Sequence, residues 1–375
     1  MSLRLQGPNF FQDLTINALN TEYIPNGDLT RPKWLWGLLC ELKGRVSVSV
    51  AQTGAVLAEA PQSLVNWIRV EGIHKVLGQR TIYYMRGPSS VAYANIYGRG
   101  RNLTLNNGGI IPNAANTAIG SYDFDVAFLI PFPPQGIPLN QQALFMLKTE
   151  DWKTLQIRVS IGDSTALWQT TAGSTITFSA FGSGTGSPVF SINTIEPQLG
   201  SLRNSINPAL VQRTWQDITT PFTASSGVDL LLAQLSVGLR HRGVLAKQGT
   251  LATARSGGVT VFAQNGLTDN ILTRPLVKLD QALIRNPKNT FAAKEWTGFA
   301  LEASQPTGYV LTEFAEGGDI RTVFPAHRLT TANKFEFRGD VTAAANQQGE
   351  LIEERIEGNP TYQDRQGNVR TLFVE

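Results

Sequence analysis

The sequence predicts an all-β protein in which two antiparallel sandwiches follow each other along the chain, together with a few short helices. Three observations support this prediction. Apolar residues alternate along many short segments, glycine- and asparagine-rich turns separate these segments, and two strand motifs recur about half a chain apart. With 375 residues, the chain is long enough for two domains that each bury a core of their own.

Alternating apolar residues mark the predicted strands. Valine occupies every second position between Arg45 and Val50, and the segments 122–130 and 155–161 repeat this alternation with larger apolar residues. Side chains two residues apart lie on the same face of a pleated strand, so each segment is predicted to be a half-buried strand. Turn sequences such as Asn26-Gly27 and the glycine-rich run 182–187 separate such segments, as in sandwiches and barrels.

Two segments have the spacing of short helices. Between Leu139 and Lys148, apolar residues recur at helical intervals, which is enough for about two or three turns. The segment from Asp269 to Arg285 is the second candidate, and Pro275 is expected to begin or break that helix.

A weak internal repeat indicates a duplicated domain. The segment 67–72 has a counterpart at 259–266, and the segment 155–159 has one at 334–340. Their central positions are 193 residues apart (68 to 261) and 180 residues apart (157 to 337). Similar offsets for both pairs are expected of two copies of one structural unit, and the boundary between the copies then falls near residue 200.

The predicted organisation has four parts, and each sandwich has the size of eight strands. The parts are an N-terminal arm at 1–34, a first sandwich at 35–200, a second sandwich at 201–345 and a C-terminal tail at 346–375. We expect the arm and the tail to lie outside the compact domains. The tail is polar and charged, and the arm carries only a loosely amphipathic set of apolar residues, Phe10, Phe11, Leu14 and Leu19.

The composition limits the partners of the chain. Charged residues make up 16% of the sequence, below the usual share of about 25%, and the formal net charge is only +3. No run of lysine and arginine is present, so we expect no direct sequence-specific binding of nucleic acid. Cys40 is the only cysteine, which leaves no pair for an intrachain disulfide.

The termini and the apolar stretches predict a soluble chain that is made and assembled inside a cell. The first residues lack the basic-then-apolar pattern of a signal peptide. The longest apolar stretches, 34–40 and 228–239, are shorter than the ~20 residues that cross a bilayer as a helix.

No residue is assigned a catalytic, cofactor-binding or metal-binding role. The histidines His74, His241 and His327 are far apart in sequence, and none has a potential metal ligand at the usual helical or strand spacing. The segment Gly182–Gly186 is rich in glycine but lacks the Lys-Ser/Thr that follows in a phosphate-binding loop. It is therefore predicted to be a flexible turn.

Two pairs of adjacent acids and seven tryptophans are the remaining candidates for a site. The acids Glu150-Asp151 and Glu353-Glu354 are adjacent, so the two side chains of each pair point to opposite faces of a strand, and we expect the second pair to be solvated. The tryptophans are scattered through both halves, which favours core packing and subunit contacts over a sugar-binding platform. We therefore predict no enzymatic activity and no cofactor.

The order of strands and turns resembles one known family. In the first half, the segment Tyr122–Pro131 leads to the short helix predicted at 139–148 and then to a strand that ends at Gly162-Asp163. In the second half, Arg242–Leu245 precedes the strand-like segments 259–266 and 335–341. This arrangement, which covers about residues 35–342, is similar to the double jelly-roll major capsid proteins of tailless icosahedral viruses, including membrane-containing bacteriophages.

The resemblance implies both an architecture and a role. Each half of the chain would be an eight-stranded antiparallel jelly-roll sandwich, and the chain would form a homotrimeric capsomer with a pseudo-hexameric outline. Its partners would be neighbouring capsomers, minor capsid or penton proteins and, in many members, an internal lipid membrane. The protein would be located in the virion after assembly in the host cytoplasm, and it would need no cofactor.

Two other functions remain open from the sequence. The first alternative is a glycan-binding β-sandwich protein, such as a virion spike or a lectin. The second is a two-domain carbohydrate-active enzyme, which would need two carboxylates about 5–9.5 Å apart in a cleft.

Overall fold

The computed structural model describes most of the chain. The described residues are 4–29, 34–51, 61–97, 119–168, 176–200, 204–222, 227–236, 238–248, 276–279, 282–285, 309–313, 319–323, 335–341, 347–364 and 366–373. The chain divides into two compact units, of which the first comprises residues 1–208 with 304–306 and the second comprises 209–303 with 307–375.

The first unit contains twelve of the described strands. In chain order they are β1 (Arg4–Thr15), β2 (Thr21–Tyr23), β3 (Trp34–Leu35), β4 (Gly37–Val48), β5 (Val65–His74), β6 (Gly78–Met85), β7 (Gly120–Pro131), β8 (Leu147–Lys148), β9 (Trp152–Ile161), β10 (Ile176–Ser179), β11 (Val189–Gln198) and β12 (Ile206–Asn207). Its helices are α1 (Gly87–Tyr97), α2 (Leu139–Gln142) and 3-10 turns at Gln62–Leu64, Ala143–Phe145, Thr149–Asp151 and Ser164–Ala166.

Eight strands of the first unit form two antiparallel sheets. One sheet has the order β1-β11-β4-β7, and the other has the order β2-β9-β5-β6. When these eight strands are numbered one to eight along the chain, the orders become 1-8-3-6 and 2-7-4-5. The strand β10 pairs with β4 beyond the end of β11 and so extends the first sheet. This is the strand order of a jelly roll.

The second unit repeats the same order of strands. Its strands are β13 (Leu210–Phe222), β14 (Gly227–Gln234), β15 (Arg240–Gln248), β16 (Leu276–Leu279), β17 (Ala282–Arg285), β18 (Tyr309–Glu313), β19 (Phe335–Val341), β20 (Gln347–Glu357), β21 (Thr361–Gln363) and β22 (Val369–Thr371), with a 3-10 turn at Ile320–Thr322. The sheets are β13-β20-β15-β18 and β14-β19-β16-β17, again 1-8-3-6 and 2-7-4-5. The prediction of two eight-stranded antiparallel jelly-roll sandwiches is confirmed.

The repeated motif that contains residues 155–159 occupies equivalent positions in the two rolls. Residues 155–159 lie in β9, and the described residues of the counterpart at 334–340 lie in β19. These are the seventh strands of the first and second rolls. The counterpart of the other motif, at 259–266, lies outside the described residues.

The core of the first roll follows from apolar alternation. Along β4, Leu38, Cys40 and Leu42 are buried, whereas the residues that alternate with them, Leu39, Glu41 and Lys43, are half-exposed. Burying an aliphatic side chain of this size stabilises a fold by about 1.5–3 kcal/mol, so one face of each strand is held against the opposing sheet. Burial also raises the pKa of the Cys40 thiol far above its usual range, which leaves it protonated and unreactive.

A smaller apolar cluster fixes the end of the first unit. Trp34 and Trp36 pack there against Met146 and against Leu199, with Ile206 at its margin. The Trp36 indole N–H donates to the side-chain oxygen of Gln142 at 2.7 Å, so the polar end of the ring is satisfied. Because this cluster holds residues 199 and 206, the first unit extends to Pro208 rather than to residue 200.

The predicted arm and tail are corrected by the structure. Residues 1–34 contain β1, which pairs with β11 and contributes the buried Leu14 to the first roll. Residues 346–375 contain β20, which lies between β13 and β15 in the second roll. Neither segment shows a sustained alternation of apolar residues. Each is held by pairing with strands that are distant in sequence, so its own sequence does not reveal that it is a strand.

The two predicted helices are also corrected. Only Leu139–Gln142 is α-helical; the 3-10 turn Ala143–Phe145 follows, and Leu147–Lys148 pairs with Trp34–Leu35 as a strand. Within the second candidate, the described residues are the antiparallel strands β16 and β17. Pairing of β16 with β19 overrides the local preference there.

The helix α1 was not predicted. It is buried on all sides over its described side chains, and Gly87 at its start lies so close to the chain that an added Cβ would stand 2.2 Å from the Gln62 carbonyl oxygen. Only glycine fits this position. None of the helices in the described part of the chain is long and apolar enough to cross a membrane.

Candidate functional site

The histidines have separate structural roles. The Nδ1 atom of His74 accepts the backbone N–H groups of Val76 at 3.2 Å and Leu77 at 3.1 Å, and its ring packs edge-on against Trp152. His74 therefore shapes the turn between β5 and β6. His241 is buried in the second roll, and His327 lies outside the described residues.

The glycine-rich run is tied to the first roll by a carboxylate. The backbone N–H of Gly182 donates to Asp123 at 2.9 Å, and Asp123 also accepts two hydrogen bonds from the Arg45 guanidinium, at 2.7 and 2.8 Å. The Arg45 hydrogen bonds hold the pKa of Asp123 below its usual value, so the carboxylate stays charged. The run is a turn that is also held by two other hydrogen bonds: the Ser183 carbonyl accepts one from the Ser179 hydroxyl, and the Ser187 hydroxyl donates one to Asn17.

The tryptophans do not form a sugar platform in the described residues. Trp34, Trp36, Trp152 and Trp168 are buried, and Trp67 packs edge-on against Tyr84 with ring centres 5.8 Å apart. Buried rings and a T-shaped pair offer no flat, open aromatic surface. Trp296 lies outside the described residues.

The two acid pairs have opposite environments. Glu150 and Asp151 each form an ion pair with Lys148, at 3.1 and 3.5 Å, and remain partly exposed. Glu353 and Glu354, predicted to be solvated, are instead 4% and 2% exposed. That prediction was wrong because residues 346–375 supply a central strand and not a tail.

One face of β20 carries a buried triad of charges. Glu354 accepts a hydrogen bond from Arg242 Nη1 at 2.9 Å, and its other carboxylate oxygen lies 3.5 Å from Arg213 Nε. The three residues are at most 2% exposed. Arg213 stands directly opposite Glu354 on β13, and Arg242 lies at an irregularity in the pairing of β15. The carboxylate is thus held between two guanidinium groups.

Glu353 on the opposite face anchors a second polar cluster. Its carboxylate accepts hydrogen bonds from the Gln216 side chain and from the Ser236 backbone N–H, both at 3.1 Å. The Ser236 carbonyl accepts the Nε2–H of His241 at 2.7 Å, and the Ser236 hydroxyl accepts a hydrogen bond from Arg355. Arg355 also donates to Thr214 at 2.8 Å.

Burial sets the charge state of this second cluster. The pKa of His241 is lowered to about 3, chiefly because the imidazole is buried. The hydrogen bond to Ser236 opposes this shift, and the nearby Arg355 guanidinium contributes to it. Burial raises the pKa of Glu353, and the positive charge of Arg355 partly offsets this increase. His241 is therefore neutral at physiological pH.

The pair of His241 and Glu353 has the residue types of an acid–base site but not its access. The His241 Nε2 lies 3.9 Å from the Glu353 carboxylate, and the two residues are 0% and 4% exposed. A general acid or base must reach a proton on its substrate within hydrogen-bond distance. Since solvent does not reach either group, the cluster is suited to holding strands together.

A half-exposed chain of ion pairs crosses three strands of the first roll. Glu22 pairs with Arg158 at 2.9 Å, Arg158 with Glu71 at 3.0 Å, and Glu71 with Arg69. The Arg69 guanidinium lies over the ring of Tyr84 at 5.5 Å. Arginine and aromatic residues on one sheet face are typical of protein interfaces.

The buried triad could not be found by motif search. Its members lie on three strands whose pairing depends on the tertiary fold, and their spacing in sequence matches no known motif. The available signal was the run Leu351-Ile-Glu-Glu-Arg-Ile356, in which β-branched residues flank charges. A search of the described residues for groups of three or more metal-ligating side chains finds none.

Comparisons with known proteins identify the fold. No family model matches the sequence, and no curated protein matches it. Among solved structures, the MCP of STIV matches with a TM-score of 0.61 and 10% identity, covering 95% of this chain and 97% of that chain. The atomic structure of Sulfolobus Turreted Icosahedral Virus matches with a TM-score of 0.61 and 11% identity, covering 95% and 90%.

A third match comes from a different virus. The PBCV-1 virus capsid matches with a TM-score of 0.53 and 9% identity, covering 100% of this chain and 97% of that chain. These neighbours are double jelly-roll capsid proteins, and the chain has the same fold over almost its whole length.

Proposed function

We propose that this chain is a major capsid protein, which builds the shell of an icosahedral virus by associating with copies of itself. The observation that supports the proposal most strongly is the tandem pair of rolls with one strand order, matched over 95% of the chain by the STIV MCP. A function of this kind resides in surfaces between copies and requires no catalytic residue. The protein would therefore not be an enzyme.

The working unit would be a homotrimer. Two similar rolls per chain give three chains six rolls, and closed cyclic symmetry buries complementary patches on each copy. The low charged share of 16% supports this arrangement, since neutral amides and hydroxyls are buried between subunits at less cost than unpaired charges. The internally paired face of Glu22, Arg158, Glu71 and Arg69 fits the same requirement.

The trimer would contact neighbouring capsomers in the virion. Minor capsid or penton proteins and an internal lipid membrane are the further candidate partners, and assembly would take place in the host cytoplasm. Permanent interfaces of this kind bury about 2,000–5,000 Å².

Light scattering and electron microscopy test the proposal. At micromolar concentration we expect trimers, with hexagonal particles or shell fragments in negative stain, and a Tm that falls on dilution to tens of nanomolar because dissociation exposes the interfaces. A monomer with the same Tm at both concentrations would contradict the proposal. Binding of that monomer to a glycan array would favour the glycan-binding alternative.

A further inference from the structure

The strand β20 completes the second roll from the middle of a sheet. It is the eighth strand of the roll along the chain, yet it pairs with β13 on one side and with β15 on the other. The sheet therefore remains open until the last strand of the roll enters between two earlier ones. The position at which this strand stops determines every contact that it makes on both faces.

Apolar alternation does not define that position. Residues 350–354 are all buried, and the apolar residues of the strand are Leu351, Ile352 and Ile356, which lie on both faces. In strands with one buried face, a shift by one residue moves the apolar set into solvent, and this penalty fixes the register. In β20 both faces are buried, and the penalty for exposing apolar residues after a shift is therefore weak.

The buried charges discriminate between registers. In the native register Glu354 lies opposite Arg213. A shift by two residues in either direction places Ile352 or Ile356 opposite Arg213 and removes Glu354 from both guanidinium groups. A shift by one residue turns Glu354 to the opposite face and places Arg355 or Glu353 opposite Arg213. In the second case Glu353 leaves its own partners, Gln216 and the Ser236 N–H. Removing one member of a buried ion pair is strongly unfavourable, because the remaining charge is neither solvated nor compensated.

We propose that the triad of Arg213, Glu354 and Arg242 is a register lock, which selects one position of β20 as it closes the second roll. The polar cluster on the other face adds to the lock, because the Glu353 carboxylate reaches Gln216 and the Ser236 N–H only in this register. The triad gives little net stability compared with apolar residues of the same volume, and its contribution is specificity. This proposal concerns folding and is independent of shell formation.

Paired cysteines measure the register directly. Leu210 lies opposite Glu357, so Leu210→Cys with Glu357→Cys reports the native register. Leu210→Cys with Asn359→Cys reports the shift by two residues that places Ile356 opposite Arg213. Cys40→Ala in every variant leaves the engineered pair as the only thiols. Each pair is placed in the otherwise unchanged chain and in a neutral variant with Arg213→Met, Arg242→Met and Glu354→Leu. Disulfide yields are measured after refolding from urea in air.

In the chain with the unchanged triad, the disulfide yield of the native-register pair should exceed that of the shifted-register pair about hundredfold. The neutral variant should also fold, but there the ratio of the two yields should be about tenfold or less. Replacing the exposed pair Asp319 and Arg321 with Leu and Met should leave the ratio unchanged, which controls for the loss of charge alone. If the neutral variant formed the disulfide of the native register alone, the proposal would be overturned. If that variant does not fold, Glu354→Gln serves in its place, and the same result would overturn it.

Discussion

The eighth strands of the two rolls occupy the same place and have opposite chemistry. The strand β11 lies between β1 and β4 and buries Phe190, Ile192 and Thr194 on one face, with half-buried residues between them. The strand β20 lies between β13 and β15 and buries Glu350, Glu353 and Glu354 along with its apolar residues. One topology is thus held by apolar burial in the first roll and by apolar burial with ion pairs in the second.

The difference shows that strand order does not dictate the chemistry of a core. A central strand needs partners for its backbone and a complement for each buried side chain. In β11 the complement is apolar surface, which is non-directional. In β20 it includes guanidinium groups, the Gln216 side-chain amide and the Ser236 backbone N–H, which must be placed to within hydrogen-bond distance. The second roll therefore depends more strongly on correct pairing.

Removing the central carboxylate should have the largest effect. Glu354→Leu leaves two buried guanidinium groups beside an apolar side chain, and we expect a loss of about 3–5 kcal/mol in the free energy of unfolding, measured by urea denaturation. The control is Glu41→Leu in the half-exposed pair with Lys43 of the first roll, for which the expected loss is about 1 kcal/mol or less. Equal losses in the two variants would show that burial does not distinguish these ion pairs.

Truncating the apolar core of the first roll should cost slightly less. Ile192→Ala in β11 creates a cavity at a fully buried position, with an expected loss of about 2–4 kcal/mol that changes little with salt or between pH 5 and 8. Ser191→Ala, on the half-exposed face of the same strand, should change the free energy by no more than about 0.5 kcal/mol. A strong pH dependence of the Ile192→Ala loss would contradict the contrast between the rolls.

Acid should weaken the second roll through His241. Its pKa is lowered from 6.5 to about 3, so the unfolded chain binds a proton more tightly than the folded chain, and stability is lost as the pH falls below 6.5. For this one group the loss at pH 5 is about 2 kcal/mol relative to pH 8. The raised pKa of Glu353 acts in the opposite direction, since the folded chain gains that proton first.

A non-titrating variant isolates the histidine. His241→Gln retains an N–H near the Ser236 carbonyl, and the contribution of Glu353 is largely common to both proteins. Urea midpoints measured from pH 8 to pH 5 should therefore fall more steeply for the unchanged chain than for His241→Gln. Parallel curves would show that the imidazole does not titrate on unfolding in this range.

The end of the chain should give the smallest effect. Phe373 is buried against the Arg240 guanidinium, 4.6 Å from the ring centre, and its backbone N–H and C=O are both bound by the Asn359 side chain. Phe373→Ala should cost about 1–2 kcal/mol, because it removes the buried ring and its contact with the Arg240 guanidinium. Val369→Ala, at a site 67% exposed, is the matched control and should be nearly neutral in thermal melts. If Phe373→Ala left the Tm unchanged, the contact between Phe373 and Arg240 would not stabilise the second roll.

The sequence by itself determined the class of the fold, its tandem arrangement and the strands with one buried face. The strands β4, β7 and β9 were visible because each carries its own period of two, which needs no knowledge of its partners. Only the tertiary structure decided that β1 and β20 are integral strands, that 276–279 and 282–285 pair as two strands, and that Glu353 and Glu354 are buried. The physical reason is that these residues are specified by their complements. Glu354 between Arg213 and Arg242 is a buried ion, whereas the same residue on a free chain is a solvated one.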